Sequence, residues 1–282
     1  MKTLAINRVA RNVHKSRYQG SRNGFTLLEL VIVMLILVAL SATLLPVFTD
    51  MTTRTHGSAG ASNIAGIAKA VQTHEVLYNS SPNFFDSLID ETGSLGASPG
   101  AVVVSDATYL VATDLASGTV GNELRIAEAL NRIGINTTQQ HLSTSTNKTF
   151  EPYNGTNIFT IMADANGDGT ANDPSGQIVV LTAVAELQIG VQPSIATATQ
   201  GVVAYVALGL GARSNMIGRS IVESPVHYPE SGESPIFDYN RFLVIYAIPA
   251  EGPARFATIA AGHEEGLAGL NQHLKEYYET QQ

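Results

Sequence analysis

The sequence predicts an α+β chain, with a long N-terminal hydrophobic helix packed on a head built around a mostly antiparallel β-sheet. Three observations predict it. The run Phe25–Phe48 is apolar apart from a single charge, Glu29. Helical spacing returns in residues 61–78, where Ile64, Ile67, Val71, His74 and Tyr78 recur at three- and four-residue steps. From Ile158 onward, β-branched and aromatic runs are bounded by Gly, Pro and polar clusters, the pattern of strands and turns.

Composition narrows the function classes. Of 282 residues, 44% are hydrophobic, ample for a packed core and too many for a disordered chain. Charged residues make up 14%, against about 25% in ordinary soluble domains. Cysteine is absent, which excludes disulfides, thiolate zinc sites and cysteine nucleophiles. The net charge of −8 argues against nucleic acid as a partner, because phosphate neutralisation needs clustered Lys and Arg. That charge is unevenly placed. Residues 1–24 hold Lys2, Arg8, Arg11, Lys15, Arg17 and Arg22 and no acid, so the rest of the chain carries −14.

At about 1.5 Å per residue, Phe25–Phe48 reaches about 36 Å, enough for a hydrocarbon core of about 30 Å. The basic residues before it place the N-terminus in the cytoplasm and the head on the other side of the membrane. A plain anchor or a signal peptide, with Ala39-Leu40-Ser41 before Ala42 as a cleavage site, also fits this layout. Neither explains Glu29, since a carboxylate in a membrane segment is costly and usually functional.

Gly24-Phe25-Thr26-Leu27-Leu28-Glu29, after a basic leader and before an apolar helix, resembles the prepilin signal of bacterial type IV pilins and type II secretion pseudopilins. The resemblance covers about 30 residues and rests on a specific combination of features. It implies cleavage by a prepilin peptidase between Gly24 and Phe25 and methylation of the new amine on Phe25. It implies that Glu29 sets subunit register by pairing with a neighbouring subunit's N-terminal amine. It places a helix break at Pro46, for which a simple kink at the membrane edge is the alternative. The domain layout that follows is a cleaved leader over 1–24, a transmembrane and filament-core helix over 25–48, its continuation over 49–78, and a periplasmic head over 79–282.

Within that continuation, Thr49–Gly60 is polar and contains Gly57 and Gly60, so the helix is expected to be weak there. His74 reads as a core or helix-flank residue. The segment Tyr78–Leu88 is similar to the tyrosine–proline–aromatic loop that follows the helix in many pseudopilins. Residues 93–121 read as a loop with a short strand at Ala101–Val104. Asn122–Ile133 reads as a helix with Leu124, Ala127, Leu130 and Ile133 inward and Gly134 as its stop. Residues 136–149 read as a polar loop. Strands are expected at Ile158–Met162, Ile178–Leu187, Gly201–Leu210, Arg241–Ile248 and Ala254–Ala261, with a hairpin turn at Ala250–Pro253. Glu264–Tyr278 reads as a short amphipathic helix.

One candidate metal site stands out. Asp164, Asn166, Asp168, Thr170, Asn172 and Asp173 place oxygen ligands around Gly169, like the first half of a calcium loop. The closing carboxylate is missing, because Ser175 stands in its place. A polar turn accounts for the same residues equally well. The resemblance adds that some pseudopilins hold their C-terminal region with calcium, as a structural ion only.

Catalytic motifs are poor. His263-Glu264-Glu265 lacks the second histidine of a zincin helix, and no phosphate loop or G-x-S-x-G elbow is present. Tyr228, Tyr239 and Tyr246 read as sheet and core residues, and residues 211–230, with Arg213, Arg219, His227 and Glu230, as a solvated loop. The expectation is therefore a non-enzymatic structural subunit with no required cofactor. Its partners are other pilin or pseudopilin subunits, prepilin peptidase, an inner-membrane assembly platform and, before assembly, the bilayer. The alternative is a minor pilin or tip module whose large head binds cargo, a surface or a partner; an enzyme borrowing the leader is a third reading.

Overall fold

The computed structural model describes residues 25–90, 110–117, 122–141, 158–165, 167–170, 172–181, 201–227 and 240–261. The expectations for the leader with Gly24, the strand at Ala101–Val104, Asn166, Tyr228, Glu230, Tyr239 and the helix at Glu264–Tyr278 lie outside these residues. The chain divides into two units between Phe48 and Thr49, and helix α1 (Leu27–Tyr78) supplies residues to both.

In the first unit, Leu27–Phe48 has a mean hydropathy of 2.8 and is long and apolar enough to cross a membrane. Among the described residues none of it is buried. At Pro46, where a helix break was expected, and over Thr49–Gly60, where a weak helix was expected, α1 is continuous. Proline removes one backbone donor at a cost of about 3 kcal/mol, and a glycine costs about 1 kcal/mol relative to alanine. Each further residue of an existing helix still adds its own hydrogen bond, so single breakers inside a long helix do not end it. In the second unit, Gly57 and Gly60 also continue the buried stripe of Ala61, Ile64, Ile67 and Val71, where packing overrides propensity. Asn79, in the left-handed region at φ 52°, ends the helix.

The second unit is a sheet with helices on one face. Its strands are β1 (Phe85–Asp90), β2 (Leu110–Asp114), β3 (Thr137–His141), β4 (Ile158–Thr160), β5 (Met162–Ala163), β6 (Asp173–Pro174), β7 (Gln177–Leu181), β8 (Val202–Gly209), β9 (Phe242–Pro249) and β10 (Arg255–Ala261). The main sheet runs β10-β9-β8-β1-β3-β4, with β7 also pairing to β8 and β2 to β7. All these pairings are antiparallel except β1 with β3. β5 and β6 form a separate two-stranded ribbon. The architecture is thus α+β, an apolar N-terminal helix followed by a mostly antiparallel sheet, as expected.

Strand β9 is buried along its whole length, which explains its continuous apolar run. Phe242, Val244, Tyr246 and Ile248 face one cluster, shared with Ile64, Ile67 and Val71 of α1 and with α2 (Glu123–Arg132). Leu243, Ile245 and Ala247 face a second cluster with Val179, Leu181 and Ala207. The β9–β10 hairpin turns at Ala250–Pro253, as the sequence predicts. Arg125 of α2 clamps it, donating from Nε to the Pro249 carbonyl at 2.9 Å and from Nη2 to the Gly252 carbonyl.

Several elements depart from expectation. The aromatic part of the Tyr78–Leu88 loop is strand β1, and residues 110–114 of the expected 93–121 loop form β2. The polar segment 136–149 contains β3, a strand without an apolar face. Its backbone is paired on both sides, and Asn83 Oδ1 accepts the N–H groups of Asn136 and Thr137 at 3.3 and 3.1 Å. Residues 211–227 are partly packed: their exposed positions alternate with buried ones. Met216 is fully buried, Ser224 donates to the Leu210 carbonyl, and His227 N–H donates to the Asn240 carbonyl at 2.8 Å.

Helix α2 is present and stops at Gly134 as predicted. Gly134 adopts φ 94°, with Gly134 N–H on the Asn131 carbonyl and Ile135 N–H on the Leu130 carbonyl. The inward face is corrected: Ile126, Ala127, Ala129 and Leu130 are buried, while Leu124 is 50% exposed. We predict that Ile126→Ala costs about 2–5 kcal/mol of stability and Leu124→Ala less than about 0.5 kcal/mol. Denaturant unfolding of the full chain in detergent measures both, and equal losses would contradict this orientation.

Candidate functional site

The start of α1 is closed by its own side chains. Thr26 is the residue before the helix and Glu29 the third within it. Glu29 N–H donates to Thr26 Oγ1 at 3.2 Å, and Thr26 N–H donates to Glu29 Oε2 at 2.9 Å. Thr26 Oγ1 also donates to Glu29 Oε2 at 3.1 Å. This is a reciprocal capping box, which satisfies two backbone donors that a helix end otherwise leaves without partners. The same bonds lower the cost of placing a carboxylate in an apolar stretch. Glu29 and Phe25 remain exposed, so a cation or an enzyme from outside the chain can reach either residue.

Sequence reasoning singled out Glu29 and Phe25 and missed Thr26. The signal was present, because a Thr three residues before a Glu ahead of an apolar run is the capping-box pattern. Pro46 lies well down the same helix and takes no part in this arrangement.

The far end of α1 carries a second polar cluster. His74 is fully buried, as expected of a core residue. Its Nδ1 lies 3.2 Å from the Ser80 carbonyl, and its Nε2 is buried with no hydrogen-bond partner among the described residues. Burial pushes the imidazole below its usual range; the Ser80 carbonyl opposes this, Arg219 reinforces it, and Glu75 opposes it more weakly. The His74 ring stacks at 4.6 Å on Tyr78, and the Arg219 guanidinium lies 5.0 Å from the Tyr78 centroid. Glu75 accepts the Ser81 hydroxyl at 2.5 Å. Burial drives the Tyr246 phenol far above its ordinary range, Glu75 adds to this, and Ser81 counters it. Tyr246 is therefore a neutral core residue, as the sequence suggested.

The oxygen-rich segment joins β5 to β6 as a turn. Gly169 N–H donates to Asp164 Oδ2 at 2.9 Å, Thr170 N–H to Asp168 Oδ1 at 2.8 Å, and Ala165 N–H to Asp173 Oδ2 at 3.0 Å. Gly167 and Gly169 take the left-handed conformations the turn needs, at φ 74° and 84°. Asn172 is exposed, and its N–H donates to the Thr170 carbonyl at 2.9 Å. Among the described residues no group of three or more His, Cys, Asp or Glu converges as a metal site.

The chain matches the family model for the prokaryotic N-terminal methylation motif over residues 20–45, the signal of type IV pilins and pseudopilins. No curated protein and no solved structure matches the chain.

Two predictions follow from this geometry. Thr26→Val removes the cap at a cost of about 1 kcal/mol, so amide exchange in the first turn of α1 should quicken about five-fold in micelles. Unchanged exchange would show that the cap carries no weight. For His74, the folded value lies below the unfolded one, so the unfolded chain takes up the proton first. Its contribution is present above about pH 6.5 and is lost as pH falls through the folded value. The melting temperature should drop on acidification toward pH 5, and His74→Phe should flatten that drop; an identical slope in the variant would refute the assignment.

Proposed function

We propose that this chain is a pilin-like structural subunit, made as a membrane-anchored precursor and assembled into a type II secretion pseudopilus or type IV pilus. One observation carries the reading: the methylation motif over residues 20–45 coincides with a self-capped helix whose apolar span is exposed among the described residues. In this reading prepilin peptidase cleaves between Gly24 and Phe25, and the amine of Phe25 is methylated. Glu29, held by Thr26 yet exposed, meets the N-terminal amine of a neighbouring subunit. A carboxylate withdrawn from water among packed helices needs such a partner. An inner-membrane assembly platform lifts the helix from the bilayer, and burial against other helices replaces the lipid contacts it loses. The head faces the periplasm, and the role is structural rather than enzymatic. A scarce tip subunit with a cargo-binding head differs from an abundant shaft subunit by copy number along the filament.

Intact mass spectrometry of the N-terminus, with and without prepilin peptidase, tests this. The expected product begins at methylated Phe25 and disappears without the peptidase. A start at Met1 in both strains, or near Ala42, would sink the proposal.

We also propose that the Asp164–Asp173 turn takes a structural calcium ion. Support comes from three carboxylates on one short turn, each fixed through one oxygen by a backbone N–H. Asp164, Asn166, Asp168 and Asp173 would hold the ion, with Thr170 and Asn172 beside them; the ion would tie β5 to β6. Saturating calcium, about 100-fold above its dissociation constant, should add about 2.7 kcal/mol of stability. A melting temperature unmoved by calcium would leave the segment as a polar turn.

A further inference from the structure

The end of α1 holds a buried base with one idle nitrogen. His74 is fully buried, and its Nδ1 lies 3.2 Å from the Ser80 carbonyl. A carbonyl oxygen only accepts, so Nδ1 carries the ring proton and Nε2 is the unprotonated nitrogen. Nε2 is buried and has no hydrogen-bond partner among the described residues. A second proton goes to Nε2, and there it creates a charged N–H shielded from water.

Separate segments meet at this ring. Tyr78 stacks on it at 4.6 Å from the last turn of α1. Ser80 reaches it from the loop that follows, where Asn79 turns the backbone at φ 52°. Arg219 lies 5.0 Å from the Tyr78 centroid and belongs to a tight turn over 216–221. In that turn the N–H groups of Arg219, Ser220 and Ile221 donate to the Met216 carbonyl at 3.0, 3.0 and 3.2 Å. Met216 is fixed in the core, whereas Arg219 is exposed and rests on Tyr78. The turn is thus anchored at its start and held at its tip by the aromatic stack.

The charges around the ring are unequal. On α1, Glu75 favours a second proton on His74, but one of its oxygens already accepts the Ser81 hydroxyl. From the turn, Arg219 opposes that proton. From β9, Tyr246 is a neutral phenol. Further along the 211–227 segment, Glu223 is exposed, and His227 faces Phe242 instead, with ring centroids 5.7 Å apart.

We propose that His74 is a proton-operated latch between the end of α1 and the 216–221 turn. Neutral His74 keeps the stack closed. Protonated His74 sets a second cation beside the Arg219–Tyr78 pair, and the tip of the turn leaves Tyr78 so that water reaches Nε2. The rest of the head stays folded. Asn215 remains tied to the Asn83 backbone through bonds of 2.8 and 3.1 Å, and the core around β9 lies outside the latch. The inference goes beyond the loss of global stability predicted for His74, because it locates an opening that precedes unfolding. It stands independently of the filament reading.

In the open state His74 titrates in water near its ordinary value of about 6.5, above its folded value. The open state therefore takes up the proton first. Closure is complete above about pH 6.5 and weakens as pH falls toward the folded value. The open population grows by up to about tenfold per pH unit in that window.

Hydrogen exchange of the full chain in micelles, read by mass spectrometry and corrected for the intrinsic pH dependence of exchange, tests the latch. The peptide bearing the Arg219, Ser220 and Ile221 amides should lose protection below about pH 6.5, by up to about tenfold per pH unit. A peptide from β9 should keep its protection. His74→Phe should abolish the pH dependence at the turn. If that variant does not fold, Arg219→Gln replaces it: loss of the opposing cation raises the folded value toward the open one, so the total fall in protection should shrink. Protection at the turn that ignores pH overturns the latch. So does an equally steep fall in His74→Phe, which would move the titration to His227, or an undiminished fall in Arg219→Gln. An equal fall in β9 overturns it as well, since the event would then be global unfolding.

Discussion

The later half of α1 has one apolar stripe to bury, and the sheet face centred on Tyr246 is what buries it. Ile64, Ile67 and Val71 share a cluster with Phe242, Val244 and Tyr246. This contact gives the helix its fixed address on the head. It explains why a segment containing Gly57 and Gly60 stays helical, and why β9 must be apolar on both faces. Helix α2 completes the same layer, and Arg125 fastens its outer side to the β9–β10 turn.

The earlier half of the same helix obeys the opposite constraint. Leu27–Phe48 presents apolar side chains on every side, exposed among the described residues. Such a helix requires lipid or other helices around it, and the exposed Glu29 requires a charge partner once water is removed. One continuous element therefore answers to two solvents. Its start is adapted to an apolar environment by the Thr26–Glu29 box, and its end is adapted to a globular core by His74 and its neighbours.

The polar clusters of the head are mostly structural. Asn83 ties β3 to the loop after α1. Glu75 and Ser81 lie against Tyr246. These contacts join segments distant in sequence, and they explain why an apolar face is not needed in β3.

Much of this protein was determined by sequence alone, because local pattern carried the information. The apolar span, the single Glu29 within it, the 61–78 stripe, the Gly134 stop and the late strands all follow from periodicity and residue type over short windows. Only the tertiary structure decided the rest. Strand β3 has polar side chains and is a strand because β1 and β4 flank it. Leu124 and Ile126 fit an inward face almost equally well on a helical wheel, and contact with the sheet chose Ile126. Residues 211–227 look like solvated loop until Met216 is seen in the core. At the candidate site, Glu29 was legible as an anomalous charge, whereas the role of Thr26 lay in a reciprocal pair of hydrogen bonds. Propensity and spacing describe neighbours along the chain; pairing, burial and docking depend on neighbours in space, and those are set only when the whole head folds.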